Sequence, residues 1–363
     1  MDGALSHCID RIRAASAAAT PLRLRGGGTK DFYGEPASGE MLDTTGLGGI
    51  RSYEPSELVV TVGAGTRLSD LEAALAEKGQ CLPFEPPRFG EGGTVGGMVA
   101  AGLSGPARAS AGSVRDFVLG LSMVNGRGEL LTFGGQVMKN VAGYDVSRLM
   151  AGALGTLGLI AEVSLKVLPQ APAEATLKFS LSQSDALRRL NAWGGQPLPL
   201  NASRWQQEPG GPVLYLRLRG AQAAVEAACG SMGGERQDDA AAQAAWTACR
   251  DQQMPWFTER AGRDLWRLSV PQTAPQLELP ESPLVEWHGA QRWIAADAGD
   301  AEHLRRIAAQ AGGHATLFRA TAGGTRTQRM HPLAPPLDRI HRELKRQFDP
   351  AGIFNRGRLY PEL

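Results

Sequence analysis

Two glycine-rich stretches decide the fold: Arg25-Gly26-Gly27-Gly28-Thr29-Lys30 and Gly90-Glu91-Gly92-Gly93-Thr94-Val95-Gly96-Gly97. Each follows a segment that the sequence predicts to be extended. Glycine reaches positive φ and offers its amide N–H without a Cβ beside it, so successive glycine amides can form a concave anion site. A third run, Gly152-Ala153-Leu154-Gly155-Thr156-Leu157-Gly158, comes later in the chain. Together the three runs predict a long ligand held at several points, such as a dinucleotide.

Composition and charge exclude several classes of protein. A chain of 363 residues should hold two or three domains, and its formal net charge of +1 gives no reason to expect nucleic acid as a partner. No apolar stretch approaches the roughly 20 residues of a membrane span. The first residues carry Asp2, His7 and Asp10 and lack a secretory apolar region, so we expect a cytoplasmic protein.

The cysteines point away from metal chemistry. Cys8, Cys81, Cys229 and Cys249 are scattered and no C-x-x-C motif occurs, which argues against an iron–sulfur cluster or a structural zinc site in this chain. Scattered thiols also fit a reducing compartment. We therefore expect no metal site.

Hydrophobic periodicity predicts mixed α and β structure in the first half. Residues 5–19 should form a helix, residues 22–25 and 58–62 strands, and the helix after residue 66 should be capped by Thr66. Asn125-Gly126 between apolar runs predicts a hairpin. Residues 158–168 alternate, which predicts a half-buried strand.

The region from about residue 173 to 330 has a different pattern. Its β-α-β alternation predicts a two-layer α+β domain, although the polar, alanine-rich segment 230–245 is expected to be poorly ordered. Residues 336–348 should form a basic helix. No repeat of fixed period is apparent.

The sequence contains a partial Rossmann fingerprint. Gly63-Ala64-Gly65-Thr66-Arg67-Leu68 lies between a strand and a helix, but Leu68 replaces the third glycine that close helix–strand packing requires. Partial fingerprints are common by chance. The sequence therefore favours a tight strand-to-helix turn over an NAD site.

One family accounts for the larger set of motifs. In order these are residues 25–30, Glu85-Pro86-Pro87, residues 92–97, Gly112-Ser113-Val114-Arg115-Asp116, Lys139-Asn140-Val141-Ala142-Gly143-Tyr144-Asp145, residues 152–158, and residues 348–355. The set resembles the FAD-binding fold of vanillyl-alcohol oxidase and para-cresol methylhydroxylase. The resemblance covers about residues 20–170 and the last 20 or so. Within that family the chain is most similar to the FAD-binding E subunits of bacterial glycolate oxidase.

The resemblance implies an architecture. It implies an α+β fold with a PCMH/VAO-type FAD-binding domain over residues 1–170, divided into subdomains of about 1–85 and 86–170. A smaller, reduced, ferredoxin-like α+β cap would occupy residues 171–330. Residues 331–363 would return to the FAD domain.

The resemblance also implies the residues that hold FAD. They are Arg25, Gly26, Gly27, Gly28, Thr29, Lys30, Pro87, Gly92, Gly93, Thr94, Gly96, Gly97, Gly102, Ser104, Arg115, Asp116, Gly155, Gly158, Ile160 and Asn355. Relatives that attach the flavin covalently through the first loop place a histidine after the glycines. Thr29 stands there in this chain, so the FAD is expected to be non-covalent.

Oxidation of a 2-hydroxy acid needs a carboxylate-binding group, a base and a hydride acceptor. The histidine-containing Gly-Asp-Gly-Asn-x-His stretch of related dehydrogenases is missing, and His288, His303 and His314 are dispersed. Residues 267–271 are similar to a remnant of the family's Tyr-Asp-x-Ser-x-Pro segment, without its acidic residue. The candidate catalytic residues are Lys139, Tyr144, Arg267 and Arg319, and a purely structural role is as well supported for each.

Three functions stay open at this stage. In the first, the chain is an FAD-carrying subunit of a glycolate oxidase and adds structure or an electron-relay flavin. A homologous flavoprotein subunit would oxidise glycolate to glyoxylate, and an iron–sulfur subunit would take the electrons. Membrane association would come through that complex. In the second, it is a self-contained FAD-dependent 2-hydroxy-acid dehydrogenase. The third, a reductase similar to the UDP-N-acetylenolpyruvoylglucosamine enzyme, lacks a well-placed proton donor. The missing histidine motif favours the first.

Overall fold

The computed structural model of the chain describes residues 3–135, 145–321 and 327–363. These residues form two compact units. The first takes in the described residues within Met1–Leu103, Ser113–Pro169 and Pro332–Leu363, and the second those within Ser104–Gly112 and Gln170–His331. The first unit is thus built from the N-terminal half of the chain and from its last residues. In the described ranges no helix is both long and apolar enough to cross a bilayer.

The strands, in chain order, are β1 (Leu22–Arg25), β2 (Glu40–Asp43), β3 (Ile50–Glu54), β4 (Val59–Gly63), β5 (Gln80–Cys81), β6 (Val118–Val124), β7 (Leu130–Gly134), β8 (Leu159–Lys166), β9 (Leu168–Pro169), β10 (Ala173–Ser180), β11 (Leu200–Glu208), β12 (Gly211–Gly220), β13 (Glu235–Arg236), β14 (Asp264–Ser269), β15 (Leu284–Glu286), β16 (Gln291–Ala296) and β17 (His314–Arg319). The helices are α1 (Gly3–Ala18), α2 (Leu68–Ala76), α3 (Val95–Ala101), α4 (Arg108–Ala111), α5 (Val114–Phe117), α6 (Val146–Leu149), α7 (Gln183–Gly194), α8 (Gln222–Met232), α9 (Asp239–Arg250), α10 (Pro255–Thr258), α11 (Ala301–Gln310) and α12 (Leu337–Phe348).

The first unit is organised by a five-stranded antiparallel sheet with the order β3-β4-β8-β6-β7. The predicted hairpin is confirmed, because β6 and β7 pair from Gly120↔Gly134 to Val124↔Leu130. One core packs the sheet against α2, whose Leu68, Leu71 and Leu75 share one helical face and are buried.

A second core of the first unit holds the two ends of the chain together. It contains Ile9 and Ile12 of α1, Leu22 of β1, and Ile353 and Phe354 of the C-terminal segment. Leu22 forms a parallel bridge with Phe354, and β1 pairs in parallel with β2. The glycine loop after β1 is therefore fixed between the N-terminal helix and the C-terminal segment.

Lys345 holds the C-terminal segment in place. Its ammonium donates at 2.7 Å to each of three oxygens, the Thr156 and Phe354 carbonyls and Asp349 Oδ2. Asp349 is fully buried and also accepts from the Ile353 and Phe354 amides. Burial lowers the pKa of Lys345, while the Asp349 carboxylate opposes this shift.

The second unit contains an eight-stranded antiparallel sheet with the order β13-β10-β12-β11-β15-β16-β14-β17. The sheet consists of two similar halves. In β10–β13 the strands lie in the order 4-1-3-2 of a ferredoxin-like β-α-β-β-α-β unit, and β14–β17 have the same order. The second strands of the two halves, β11 and β15, pair at the centre. In the first half, α7 follows β10 and α8 follows β12. In the second half, α11 corresponds to α8, and among the described residues no helix lies between β14 and β15.

Two local predictions for the first unit are wrong. Thr66 does not cap α2: its hydroxyl donates to the Gly63 carbonyl, and Arg67 precedes the helix without a side-chain cap. The strand predicted as half-buried is almost wholly buried as β8, because both cores of the first unit cover it.

Segment 230–245, which was predicted to be poorly ordered, completes α8 and contributes β13 and the start of α9. Asp238 caps α9 by accepting from the Ala241 amide, and the buried Trp246 indole donates to the Thr176 hydroxyl. The cap, the pairing of β13 with β10 and the buried face of α9 thus give regular structure to a segment that is polar overall.

Replacing Lys345 by methionine should destabilise the first unit. The change leaves the buried Asp349 carboxylate without its cation, which costs about 3–5 kcal/mol of unfolding free energy. Urea denaturation followed by circular dichroism measures the loss. The matched control is Arg346→Met, at the position after Lys345. It breaks an exposed ion pair with Glu343 and should leave the urea midpoint unchanged. Equal midpoints for both variants would contradict the structural role of Lys345.

Candidate functional site

A cleft in the first unit brings together segments that are far apart in the sequence. Its walls come from β1 and the following glycine loop, the start of α3, residues 154–160 and the C-terminal segment at Asn355. It has two adjoining lobes with empty volumes of about 430 and 590 Å³, open solvent included. Leu24, Arg25 and Gly26 line both lobes. The shape is that of a continuous groove for an elongated ligand.

Most of the residues predicted to bind FAD line this cleft. They are Arg25, Gly26, Gly27, Gly28, Thr29, Lys30, Thr94, Gly96, Gly97, Gly155, Gly158, Ile160 and Asn355. Leu159 of the predicted 155–160 stretch also lines it. The cleft is further lined by residues that were not predicted, namely Arg23, Leu24, Asp31, Ala37, Thr44, Ala64, Ala100, Ala101, Leu154 and Arg358. Of these, Arg23 could have been predicted, because it lies two positions before Arg25 on β1 and therefore on the same face of the strand.

The two glycine loops touch backbone to backbone. A Cβ added to Gly27 would lie 1.4 Å from the Gly92 carbonyl oxygen, and one on Gly26 would lie 2.4 Å from Thr94 Oγ1. Real Cβ atoms do not approach other atoms so closely, so these two positions require glycine for the loops to meet. The glycines therefore shape the protein itself as well as leaving room for a ligand.

The first glycine loop offers amide donors to the cleft. Within the described part of the chain, the N–H groups of Gly26, Gly27, Gly28 and Thr29 donate to no protein acceptor. Residues 26–29 are half-buried and line the cleft, and successive backbone amides in a glycine-rich loop can form an anion site. These donors fit the diphosphate of a dinucleotide.

The second glycine loop offers fewer donors than expected. The Gly96 amide donates to the Ala64 carbonyl at 2.7 Å, and the Gly97 amide donates to Thr94 Oγ1 at 3.2 Å. Thr94 is the N-cap of α3.

The residues 63–66 form a tight turn in which the Thr66 amide donates to Gly63, so the favoured interpretation of the partial Rossmann fingerprint is confirmed.

The lobe lined by Ala64, Ala100, Leu159 and Ile160 is mostly apolar. Asn355 closes it: its side-chain oxygen accepts from the Leu24 amide and its Nδ2 donates to the Leu154 carbonyl. The other lobe is charged, with four cationic side chains (Arg23, Arg25, Lys30, Arg358) and one carboxylate, Asp31. An uncharged ring suits the first lobe and phosphates suit the second.

The other predicted cofactor residues, Pro87, Gly92, Gly93, Gly102, Ser104, Arg115 and Asp116, lie outside this lining. Gly102 ends α3 at φ 65°, and a Cβ there would lie 2.7 Å from Gly152 Cα. Ser104 belongs to the second unit. Partial burial tends to raise the pKa of Asp116, but hydrogen bonds from the Ser113 amide and hydroxyl lower it, as expected for a residue that completes a capping box.

Of the four candidate catalytic residues, the two within the described ranges, Arg267 and Arg319, lie on the neighbouring strands β14 and β17. Lys139 and Tyr144 lie outside the described ranges. Arg319 and Arg267 belong to the second unit, where Arg319 donates to Gln252 Oε1 at 3.0 Å and the Arg267 guanidinium lies 5.6 Å from the Phe318 ring centroid. Burial lowers the pKa of Arg319. Over residues 3–135, 145–321 and 327–363, no cluster of three His, Cys, Asp or Glu side chains could hold a metal ion.

Comparison with known proteins identifies the family. Residues 5–134 match the FAD binding domain family. Glycolate oxidase subunit GlcE of Escherichia coli K12 is 45% identical over 98% of this chain and 97% of its own length. Glycolate oxidase subunit GlcD of Bacillus subtilis is 32% identical, over 46% of this chain and 36% of that protein. Among solved structures, an alkyldihydroxyacetonephosphate synthase superposes with a TM-score of 0.65 at 16% identity, covering 96% of this chain and 74% of the synthase.

The matched family and the fold define an α+β flavoprotein of the PCMH/VAO type, with FAD as its cofactor. Identity across nearly the whole of both sequences shows that the chain belongs to the glycolate oxidase subunit GlcE family. The family resemblance, the fold class and the cofactor expected from the sequence are therefore confirmed.

Replacing Gly27 by alanine should abolish FAD retention. The new Cβ would force the first glycine loop away from Gly92 and disperse its amide donors. The ratio of flavin to protein absorbance after gel filtration measures retention. Gly194→Ala is the matched control, because Gly194 ends α7 with no atom within 4 Å of the added Cβ. Full loading of the Gly27 variant would show that this contact does not shape the cofactor site.

Proposed function

We propose that the chain binds FAD in the cleft of the first unit, with the diphosphate at the glycine loop and charged lobe and an uncharged ring system in the apolar lobe. The unbonded amides of residues 26–29 support this placement most directly. When bound, FAD supplies a two-electron acceptor. The protein residues bind and orient it: backbone donors and cationic side chains hold the phosphates, while Ala64, Ala100 and Ile160 exclude water from the other end.

The FAD should be bound non-covalently. A covalent bond to the flavin from the first loop needs a nucleophilic side chain, and Thr29, which lines the charged lobe, has only a hydroxyl. That hydroxyl already accepts a hydrogen bond from Lys30 Nζ at 3.4 Å.

Acid precipitation of the yellow protein should therefore release all of its flavin. The supernatant should contain intact FAD by chromatography, and the pellet should be colourless. Flavin fluorescence that stays with the denatured chain on a gel would contradict non-covalent binding.

The chain acts, in our proposal, as the FAD-carrying subunit of a glycolate oxidase and does not itself oxidise glycolate. A homologous FAD subunit would oxidise glycolate to glyoxylate, and an iron–sulfur subunit would receive the electrons. The observation that carries this proposal is the match to the E. coli subunit over nearly the whole length of both proteins.

The alternative is a stand-alone FAD-dependent 2-hydroxy-acid dehydrogenase. It is favoured by the 28% identity to the D-2-hydroxyglutarate dehydrogenase of Xanthomonas citri pv. viticola, which extends over 71% of this chain and 57% of that enzyme. Such an enzyme would complete its own substrate site without other subunits.

The two functions separate in one assay. The isolated, FAD-loaded chain should not reduce an artificial electron acceptor with glycolate or D-2-hydroxyglutarate, whereas the complex co-purified from the native host should do so with glycolate. The control is the same complex assembled with the Gly27→Ala chain. Rapid turnover by the isolated chain would replace the subunit proposal with the alternative.

A further inference from the structure

Asp31 lies directly after the first glycine loop and joins two arginines. Its Oδ2 atom accepts from Arg23 Nη2 and from Arg25 Nε, both at 2.7 Å. The two arginines are two positions apart on β1, so their side chains leave the strand on one face. All three residues line the charged lobe of the cleft.

The Arg25 side chain lies across the glycine loop. A Cβ added to Gly28 would be 2.1 Å from Arg25 Nη2, so the guanidinium lies against the backbone of Gly28, which has φ 72°. Gly28 thus leaves the space through which Arg25 reaches Asp31. The same loop carries the unbonded amides of residues 26–29.

One carboxylate oxygen between two guanidinium groups opposes their mutual repulsion and fixes their planes. Each guanidinium has five N–H donors, and these bonds to Asp31 use one from each. The other donors remain available at the phosphate end of the cleft. The charge of Asp31 is itself offset by both arginines, which weakens its repulsion of a bound anion.

We propose that Asp31 is a positioning residue for the FAD diphosphate: it holds Arg23 and Arg25 at the glycine loop so that their other N–H groups face the phosphate oxygens. The proposal rests on the placement of FAD proposed above. It predicts a sign. If Asp31 only repelled the phosphates, its removal would strengthen cofactor binding; if it positions the arginines, its removal weakens binding.

The test measures dissociation constants of the full-length, flavin-free chain for FAD, ADP and adenosine by calorimetry. Asp31→Asn should weaken FAD and ADP binding about tenfold, which corresponds to about 1.4 kcal/mol. Adenosine, which has no phosphate, should bind the variant and the parent equally. Glu226→Gln, which removes a carboxylate paired with Arg236 at 3.0 Å in the second unit, is the matched control and should change none of the three.

A double-mutant cycle shows whether Asp31 acts through Arg25. In an Arg25→Gln background, the added Asp31→Asn change should weaken FAD binding by a smaller factor than in the parent. Tighter FAD binding by Asp31→Asn, with a steeper dependence on salt, overturns the proposal. Equal losses for adenosine and ADP overturn it as well, because the cleft as a whole would then have changed. Full FAD retention by Gly27→Ala would instead refute the proposed placement of FAD in the cleft. Failure of that placement is therefore distinguishable from failure of the Asp31 proposal.

Discussion

The close approach of the two glycine loops is the constraint on which the rest of the first unit depends. The Gly27 backbone lies so near the Gly92 carbonyl that no side chain fits between them. This contact places the unbonded amides of the first loop beside the start of α3. In the second loop, the Gly96 amide donates to the Ala64 carbonyl and the Gly97 amide donates to Thr94 Oγ1. A binding surface made of backbone atoms is therefore fixed by backbone packing, and mobile side chains contribute mainly charge.

The charged side chains around this loop are held by hydrogen bonds and ion pairs within the first unit. Arg358 donates to the Lys30, Asp31 and Glu35 carbonyls and so braces the segment after the loop. Arg23, Arg25 and Asp31 form a compact ionic group at its mouth. These side chains are partly exposed, so their interaction energy in water is small, but their orientation matters where a phosphate replaces water.

The sequence predicted the parts of the fold that depend on local patterns. Hairpin β6–β7 follows from Asn125-Gly126, and the position of the first glycine loop follows from the alternation in β1. Cleft residues were predicted where they belonged to a recognised motif, as Gly26, Thr94 and Asn355 do. Arg358 was missed because its contacts are with residues at the other end of the chain, which no local pattern reveals. Asp31 was missed although its partners Arg23 and Arg25 are close in sequence, because it belongs to none of the motifs. The division of the second unit into two similar halves was also missed, since strand order is a long-range property and no repeat of fixed period accompanies it. The extent of the domains and the residues that contact FAD stay predictions.

The C-terminal segment has a consequence for biosynthesis. Ile353 and Phe354 complete a core with α1 and β1, and Asn355 closes the apolar lobe of the cleft. A nascent chain that has reached only residue 170 exposes these apolar surfaces and lacks one wall of the groove. The second core and the Asn355 wall of the cleft therefore form only after the tail has been translated.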